Sequence, residues 1–244
     1  MTEEVKARLQ QWARQYETVS FTEGDPSWFM HQVQGPENQE AMAFLASCFS
    51  YGSRAQFLPK IQQLLDWSGG EVHSWVRSGE YASHIRQDDK SCFYRLNTNA
   101  QVNAFLGSYS LLLQQEGTLG KWVESTGATT ALDAVKAICS KLGGCIVPKD
   151  ATSACKRVCM FLRWMVRDGS PVDLGLWPFI DKRSLIIPMD THVLQEAVKL
   201  GLIKSRTASM SAALRLSKAL ADVFPDDPMK GDFALFGYGV NPNG

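Results

Sequence analysis

Residues 186–201, IIPMDTHVLQEAVKLG, decide how the chain is to be read. Val193, Ala197 and Leu200 recur at helical spacing, so a helix begins inside this run. Pro188, Met189 and Asp190 stand directly before it, behind an apolar Ile-Ile pair. An Asp at a helix entrance is first of all an N-cap, whose carboxylate accepts hydrogen bonds from the open amides of the first turn. Capping also fixes a carboxylate in place, facing whatever lies ahead of the helix. Whether Asp190 does more than cap depends on a partner elsewhere in the chain.

The nearest upstream helix offers one. In KDATSACKRVCMFLRWMVRDG (149–169) the spacing predicts a helix over 153–167, capped by Asp150, Thr152 or Ser153 and stopped at Gly169. Its apolar face carries Cys155, Val158, Cys159, Leu162 and Val166, and Lys156 falls in the first turn. A Lys there opposes the helix dipole, whose positive end is at the N-terminus. The bland reading is a solvated side chain. The sharper one is a catalytic amine: a positive dipole end and the adjacent Arg157 both disfavour the ammonium form and free a nucleophile. Lys156 and Asp190 then stand at two helix entrances, joined by one helix and an irregular insert. If they share a site, their charged ends should approach to roughly 4–7 Å, the range in which opposite charges perturb each other.

Further out, helical periodicity is nearly continuous. Helices are expected at 3–17, 37–50, 55–67, near 74–81, at 99–115, 130–142, 190–200 and 207–223, with a last short helix or turn in KGDFALFGYG (230–239). No regular strand alternation stands out, so the expected fold is all-α. The 244 residues and 45% hydrophobic content allow one large domain or two lobes with a real core. We expect two lobes: residues 37–140 as one, and 1–36 with 141–244 as the other, the active cleft between them.

Composition narrows the class. No run of 18 apolar residues predicts a membrane span, and the charged N-terminus MTEEVKARLQQWARQY is unlike a signal peptide. A cytoplasmic protein with reduced cysteines is expected. Cys155 and Cys159 share a helix face, but no tight C-x-x-C pair exists, so no metal and no cofactor is expected. The formal net charge is zero, yet residues 140–220 hold 13 Lys/Arg against 6 Asp/Glu. That segment is either a phosphate-binding face or an arbitrary split of solvated charge.

At this point the residues carry a resemblance. A helix-entry Lys156 followed by PMDTHV (188–193) resembles the helix-hairpin-helix DNA glycosylase superfamily, which includes endonuclease III and the 8-oxoguanine glycosylases, where the Asp stands in a V-D-T-H or V-D-V-H run. Together with PMDTHV, the run MFLRWMVR (160–167) resembles an uncharacterised, largely bacterial family related to that superfamily, over most of the chain. The glycosylase likeness is specific only over about 150–200. Three departures stand beside it. The turn IVPKDATSACKR (146–157) lacks the glycines that let hairpin amides approach a DNA phosphate. Thirty-three residues separate Lys156 from Asp190, a long insert that resembles the layout of the archaeal 8-oxoguanine glycosylases. No Cys follows Cys159, so the C-terminal iron–sulfur motif is absent.

The resemblance implies a two-lobed helical fold of the glycosylase type, acting as a monomer on damaged double-stranded DNA, without a membrane role. Lys156 would be the Schiff-base nucleophile and Asp190 the catalytic aspartate, excising a damaged purine, with 8-oxoguanine the leading substrate, and then nicking the strand as an AP lyase. The loop SYGSR (50–54) resembles in position the loop that fills the gap left by a flipped base, with Tyr51 and Arg54 suited to stacking and pairing; the bland reading is a helix–helix turn. Trp164, Trp177 and Phe236 are candidates to sandwich a purine or to pack the core. Lys149, Arg157, Lys182, Arg183 and His192 are candidates for phosphate contacts. Two other functions stay open: a catalytically inactive helical nucleic-acid-binding module, and a small-molecule enzyme using Lys156 for Schiff-base chemistry.

Overall fold

The computed structural model, described over residues 1–240, is built mostly of helices. In chain order these are α1 (Glu3–Tyr16), α2 (Pro36–Phe49), α3 (Arg54–Ser68), α4 (Val72–Ser78), α5 (Asn99–Glu116), α6 (Leu119–Ser125), α7 (Ala131–Leu142), α8 (Lys156–Val166), α9 (Thr191–Lys199), α10 (Met210–Ala221) and α11 (Lys230–Val240). The all-α expectation holds, with one addition. A small antiparallel hairpin, β1 (Cys92–Tyr94) and β2 (Asn97–Thr98), precedes α5. Strands of three and two residues are too short to show alternation.

The chain divides into two compact units. The first comprises Met1–Phe21, Thr129–Val135 and residues from Ala151 onward; the second comprises Thr22–Ala128 and Lys136–Asp150. Residues 22–36 and 141–150, grouped with the termini on sequence, belong to the second unit.

The second unit is centred on α2, whose residues from Glu40 to Phe49 are all buried. Phe44 of α2 meets Tyr109 of α5 edge-on at 4.9 Å. The one buried carboxylate of α2 has a defined task. Glu40 accepts hydrogen bonds from the Leu119 and Gly120 amides at 2.8 and 3.1 Å, so it satisfies the open N-terminus of α6. A capping box at Thr98 and Gln101 starts α5.

In the first unit α11 packs against α1 and α9. Trp12 of α1 stacks on Tyr238 of α11 at 3.9 Å. Gly237 is required at that contact, because a Cβ would enter the Tyr16 side chain. The insert between α8 and α9 folds back on α8: the Leu174 and Trp177 amides donate to the Trp164 and Met165 carbonyls, both at 2.8 Å. Leu185 to Met189 are then buried in sequence, and the Ile187 amide donates to Ser217 Oγ of α10 at 2.9 Å. This buried run delivers Asp190 to a fixed place.

Candidate active site

Asp190 caps α9 as the sequence suggests: its Oδ1 accepts from the Val193 amide at 2.9 Å. The other oxygen is left for a second task, and Oδ2 lies 3.7 Å from Lys156 Nζ. The pair is slightly closer than the expected range. Its Asp side chain is 14% exposed and its Lys side chain 37%, so one partner is sheltered and the other reaches solvent.

The local path to Lys156 differs from expectation. Helix α8 starts at Lys156 and not at 153, and the N-cap position falls on none of Asp150, Thr152 and Ser153. The N-cap is Cys155 in a left-handed conformation (φ +46), and it makes no side-chain cap bond. A non-glycine residue held there carries backbone strain. Cys155 itself is buried, as is Cys159, whose thiol is pushed up by burial and donates to the Ala154 carbonyl at 3.5 Å. The chain therefore turns into α8 on a buried residue, and Lys156 is the first helical side chain to emerge.

Behind this pair lies an ion network that sequence reasoning missed. Lys156, Arg163 and Arg167 are spaced 7 and 4 apart, on one face of α8. Arg163 donates to Asp173 at 3.2 Å and to Asp232 at 2.5 Å. Arg167 donates to Asp227 at 2.7–3.2 Å, to Glu17 at 2.6 Å and to Asp173. Both guanidiniums also lie over the Phe233 ring, at 4.5 and 5.1 Å. Burial pulls Arg167 down, but its carboxylate partners outweigh that and hold it well above the ordinary value. Burial pushes Asp232 up to about 6 against the pull of Arg163, and the charges of Asp190 and Asp173 add to the push. The only sequence signal for this network was two Arg residues four apart inside the apolar run MFLRWMVR.

The remaining candidates separate. Trp164 and Trp177 are core residues, fully buried or nearly so. Trp177 packs edge-on against Phe161 at 5.2 Å, and the indole N–H of Trp164 has no hydrogen-bond partner. Neither presents a face to a base. Phe236 is half-buried, 6.0 Å from Phe21 and 6.5 Å from His192. His192 is exposed and lines a cavity of about 450 Å3 with Trp12, Glu196, Lys199 and Tyr238. Lys182 lies 2.6 Å from Asp168 and Arg183 2.8 Å from Asp181, both in exposed pairs. Arg157 is half-buried and Lys149 is exposed. In the second unit, Arg54 lies 3.7 Å from Asp25. The Tyr51 hydroxyl donates to the Tyr94 carbonyl at 3.3 Å and accepts from the Asn97 amide at 2.7 Å, which ties it to the β1–β2 hairpin and leaves it unsuited to swing into a duplex.

At least six of the 13 basic side chains in 140–220 are thus paired with acids: Lys156, Arg163, Arg167, Lys182, Arg183 and Lys199. The basic face is smaller than the charge count suggests. Among the described residues no helix is long and apolar enough to cross a membrane, and no group of three or more His, Cys, Asp or Glu is placed to hold a metal ion.

Fold and site together define a mostly helical chain with a Lys–Asp pair set at two helix entrances. It belongs to the family described as protein of unknown function DUF2400, whose model matches residues 25–241. No curated protein and no solved structure matches the chain.

Proposed function

We propose that this chain is a DNA glycosylase with AP-lyase activity that excises a damaged purine, 8-oxoguanine first among the substrates to try, and that its fold is of the helix-hairpin-helix glycosylase type. One observation carries the reading. Lys156 Nζ stands 3.7 Å from the Asp190 oxygen that capping leaves over. A helix cap needs one carboxylate oxygen; this one keeps the second beside the only amine of the α8 entrance.

The chemistry follows from the two groups. An extruded nucleotide presents C1′ of its sugar. The neutral Lys156 amine attacks C1′, the glycosidic C–N bond breaks, and its electron pair leaves with the base. Asp190 takes the proton that the substituted nitrogen loses, and its charge stabilises the cationic sugar. The C1′–O4′ bond then breaks, its electron pair leaving on O4′, which takes the proton from Asp190; the ring-opened iminium that results has an acidic 2′ proton. Loss of that proton expels the 3′ phosphate and nicks the strand. Borohydride reduces the iminium to a stable amine, so incubating the protein with duplexes carrying different lesions and borohydride tests the proposal: a covalent adduct with at least one lesion is expected, and no adduct with any lesion contradicts it.

The turn IVPKDATSACKR (146–157), which holds no glycine, favours a second reading. Without those glycines, backbone amides lack the close approach that a hairpin phosphate contact uses. A nucleic-acid-binding module without catalysis would bind the same duplexes and give no adduct.

A further inference from the structure

The run FGYG (236–239) ends α11, and the Lys156–Asp190 pair makes no use of it. Its two glycines mark close approaches. A Cβ at Gly237 would enter the Tyr16 side chain of α1. A Cβ at Gly239 would stand 3.1 Å from the His192 Cβ and 3.4 Å from the Glu196 Cγ, both of α9. The end of α11 is therefore pressed on α1 at one glycine and on α9 at the other. Tyr238, between them, sits where the three helices meet.

A cavity of about 450 Å3 opens there, within the size range of small-molecule sites. Its lining residues all belong to the first unit, and neither Lys156 nor Asp190 is among them. One wall is aromatic: Trp12 stacked on Tyr238 at 3.9 Å. The α9 wall carries His192, Gln195, Glu196 and Lys199, spaced three and four apart on one face. Arg8 comes from α1, its guanidinium 5.1 Å over the Trp12 ring.

The charges are unequally placed. Glu196 is buried, and Lys199 Nζ lies 2.6 Å from its carboxylate, so the one acid of the cavity already has a cation. Arg8 has no carboxylate partner among the described residues. A guanidinium resting on a ring keeps its N–H fork for an anion, and that fork matches phosphate oxygens in pairs. The cavity thus offers two cations to an anion and an aromatic wall to a flat ring. Inorganic phosphate would leave the wall unused, and a bare base would leave Arg8 unanswered. A nucleoside phosphate carries both parts.

We propose that the cavity between α1, α9 and α11 binds a nucleoside monophosphate, its phosphate on Arg8 and Lys199 and its base against Trp12 and Tyr238. A free nucleotide and the 5′-phosphorylated end of a strand present this same chemistry. The site does not rest on the glycosylase reading, because it shares no residue with the Lys156–Asp190 pair.

Calorimetric titration of the full chain at low salt tests it, with AMP, adenosine, inorganic phosphate, and an undamaged oligonucleotide with and without a 5′ phosphate. A free-nucleotide site should bind AMP about tenfold tighter than adenosine or phosphate. A strand-end site should instead prefer the phosphorylated oligonucleotide to its unphosphorylated twin by about the same factor. In either case Arg8→Ala and Lys199→Gln should each weaken the preferred ligand by about three- to tenfold. Arg14→Ala removes another exposed cation of α1, outside the cavity, and should change binding by less than about twofold. All three changes are at exposed side chains, so melting should stay near wild type. Neither preference in the wild-type chain, or a preference that Arg8→Ala and Lys199→Gln leave intact, overturns the proposal. Borohydride trapping at Lys156 is read separately, so each reading can fail alone.

Discussion

Asp190 is legible in the sequence as a cap because Asp before a periodic apolar run is a local signal. Its second role is a matter of which oxygen faces Lys156, and substitution separates the two. Asp190→Asn keeps a good capping group, so melting should change little, while single-turnover base release should fall by about 10²–10³ with the stabilising charge gone. Asp190→Ala should in addition lose about 1 kcal/mol of stability. An Asp190→Asn protein that retains full activity would reduce Asp190 to a helix cap. Asp232 was invisible, because its partner Arg163 lies 69 residues away in sequence. Its raised value makes a signed prediction. The folded state holds a proton on Asp232 up to about pH 6, whereas the unfolded chain releases it near 3.8. This contribution to stability is therefore complete below 3.8 and lost as the pH rises through about 6, by up to roughly 3 kcal/mol. The exposed carboxylates Asp168 and Asp181, held down by Lys182 and Arg183, act in the opposite sense and are common to both proteins. Melting curves from pH 3.5 to 7 should show that wild-type stability falls relative to Asp232→Asn across that window; parallel curves would contradict it.

At the scale of elements, helix existence was legible almost throughout, and helix entrances were not always. α9 begins where its cap predicts. α8 begins three residues late, since Asp150, Thr152 and Ser153 are each good caps on local grounds and the chain uses a buried left-handed Cys155 instead. The two Arg residues of α8 carry the same lesson. Periodicity put them on a helix, but only folding shows that their face is buried against acids from the end of α1, the insert, the turn before α11 and α11 itself. Arg167 is 1% exposed in its side chain and bonded to Glu17, Asp173 and Asp227. Removing one member of a buried ion cluster leaves uncompensated charge, typically at a cost of about 3–5 kcal/mol. Arg167→Ala should lower stability by that order in urea unfolding, and far more than the same change at exposed Arg183. A loss below about 1 kcal/mol would mean that water reaches the cluster.

For the whole molecule, the sequence supplied the all-helical class and the excess of positive charge in 140–220, but not how much of that charge is free to act. With at least six of the 13 cations beside carboxylates, duplex binding should still weaken with salt, log K falling linearly with log salt. A flat plot would argue against a nucleic-acid role. The central claim is the chemistry of one amine, and trapping reads it most directly. Wild-type protein and Lys156→Gln, which keeps most of the side chain's reach without the nucleophile, should be incubated with an 8-oxoguanine duplex and with an abasic duplex in borohydride, alongside binding of the same duplexes. The account predicts a covalent adduct with wild type, none with Lys156→Gln, and nearly equal binding by both; an adduct that persists in Lys156→Gln, or none with wild type across a panel of lesions, would contradict it.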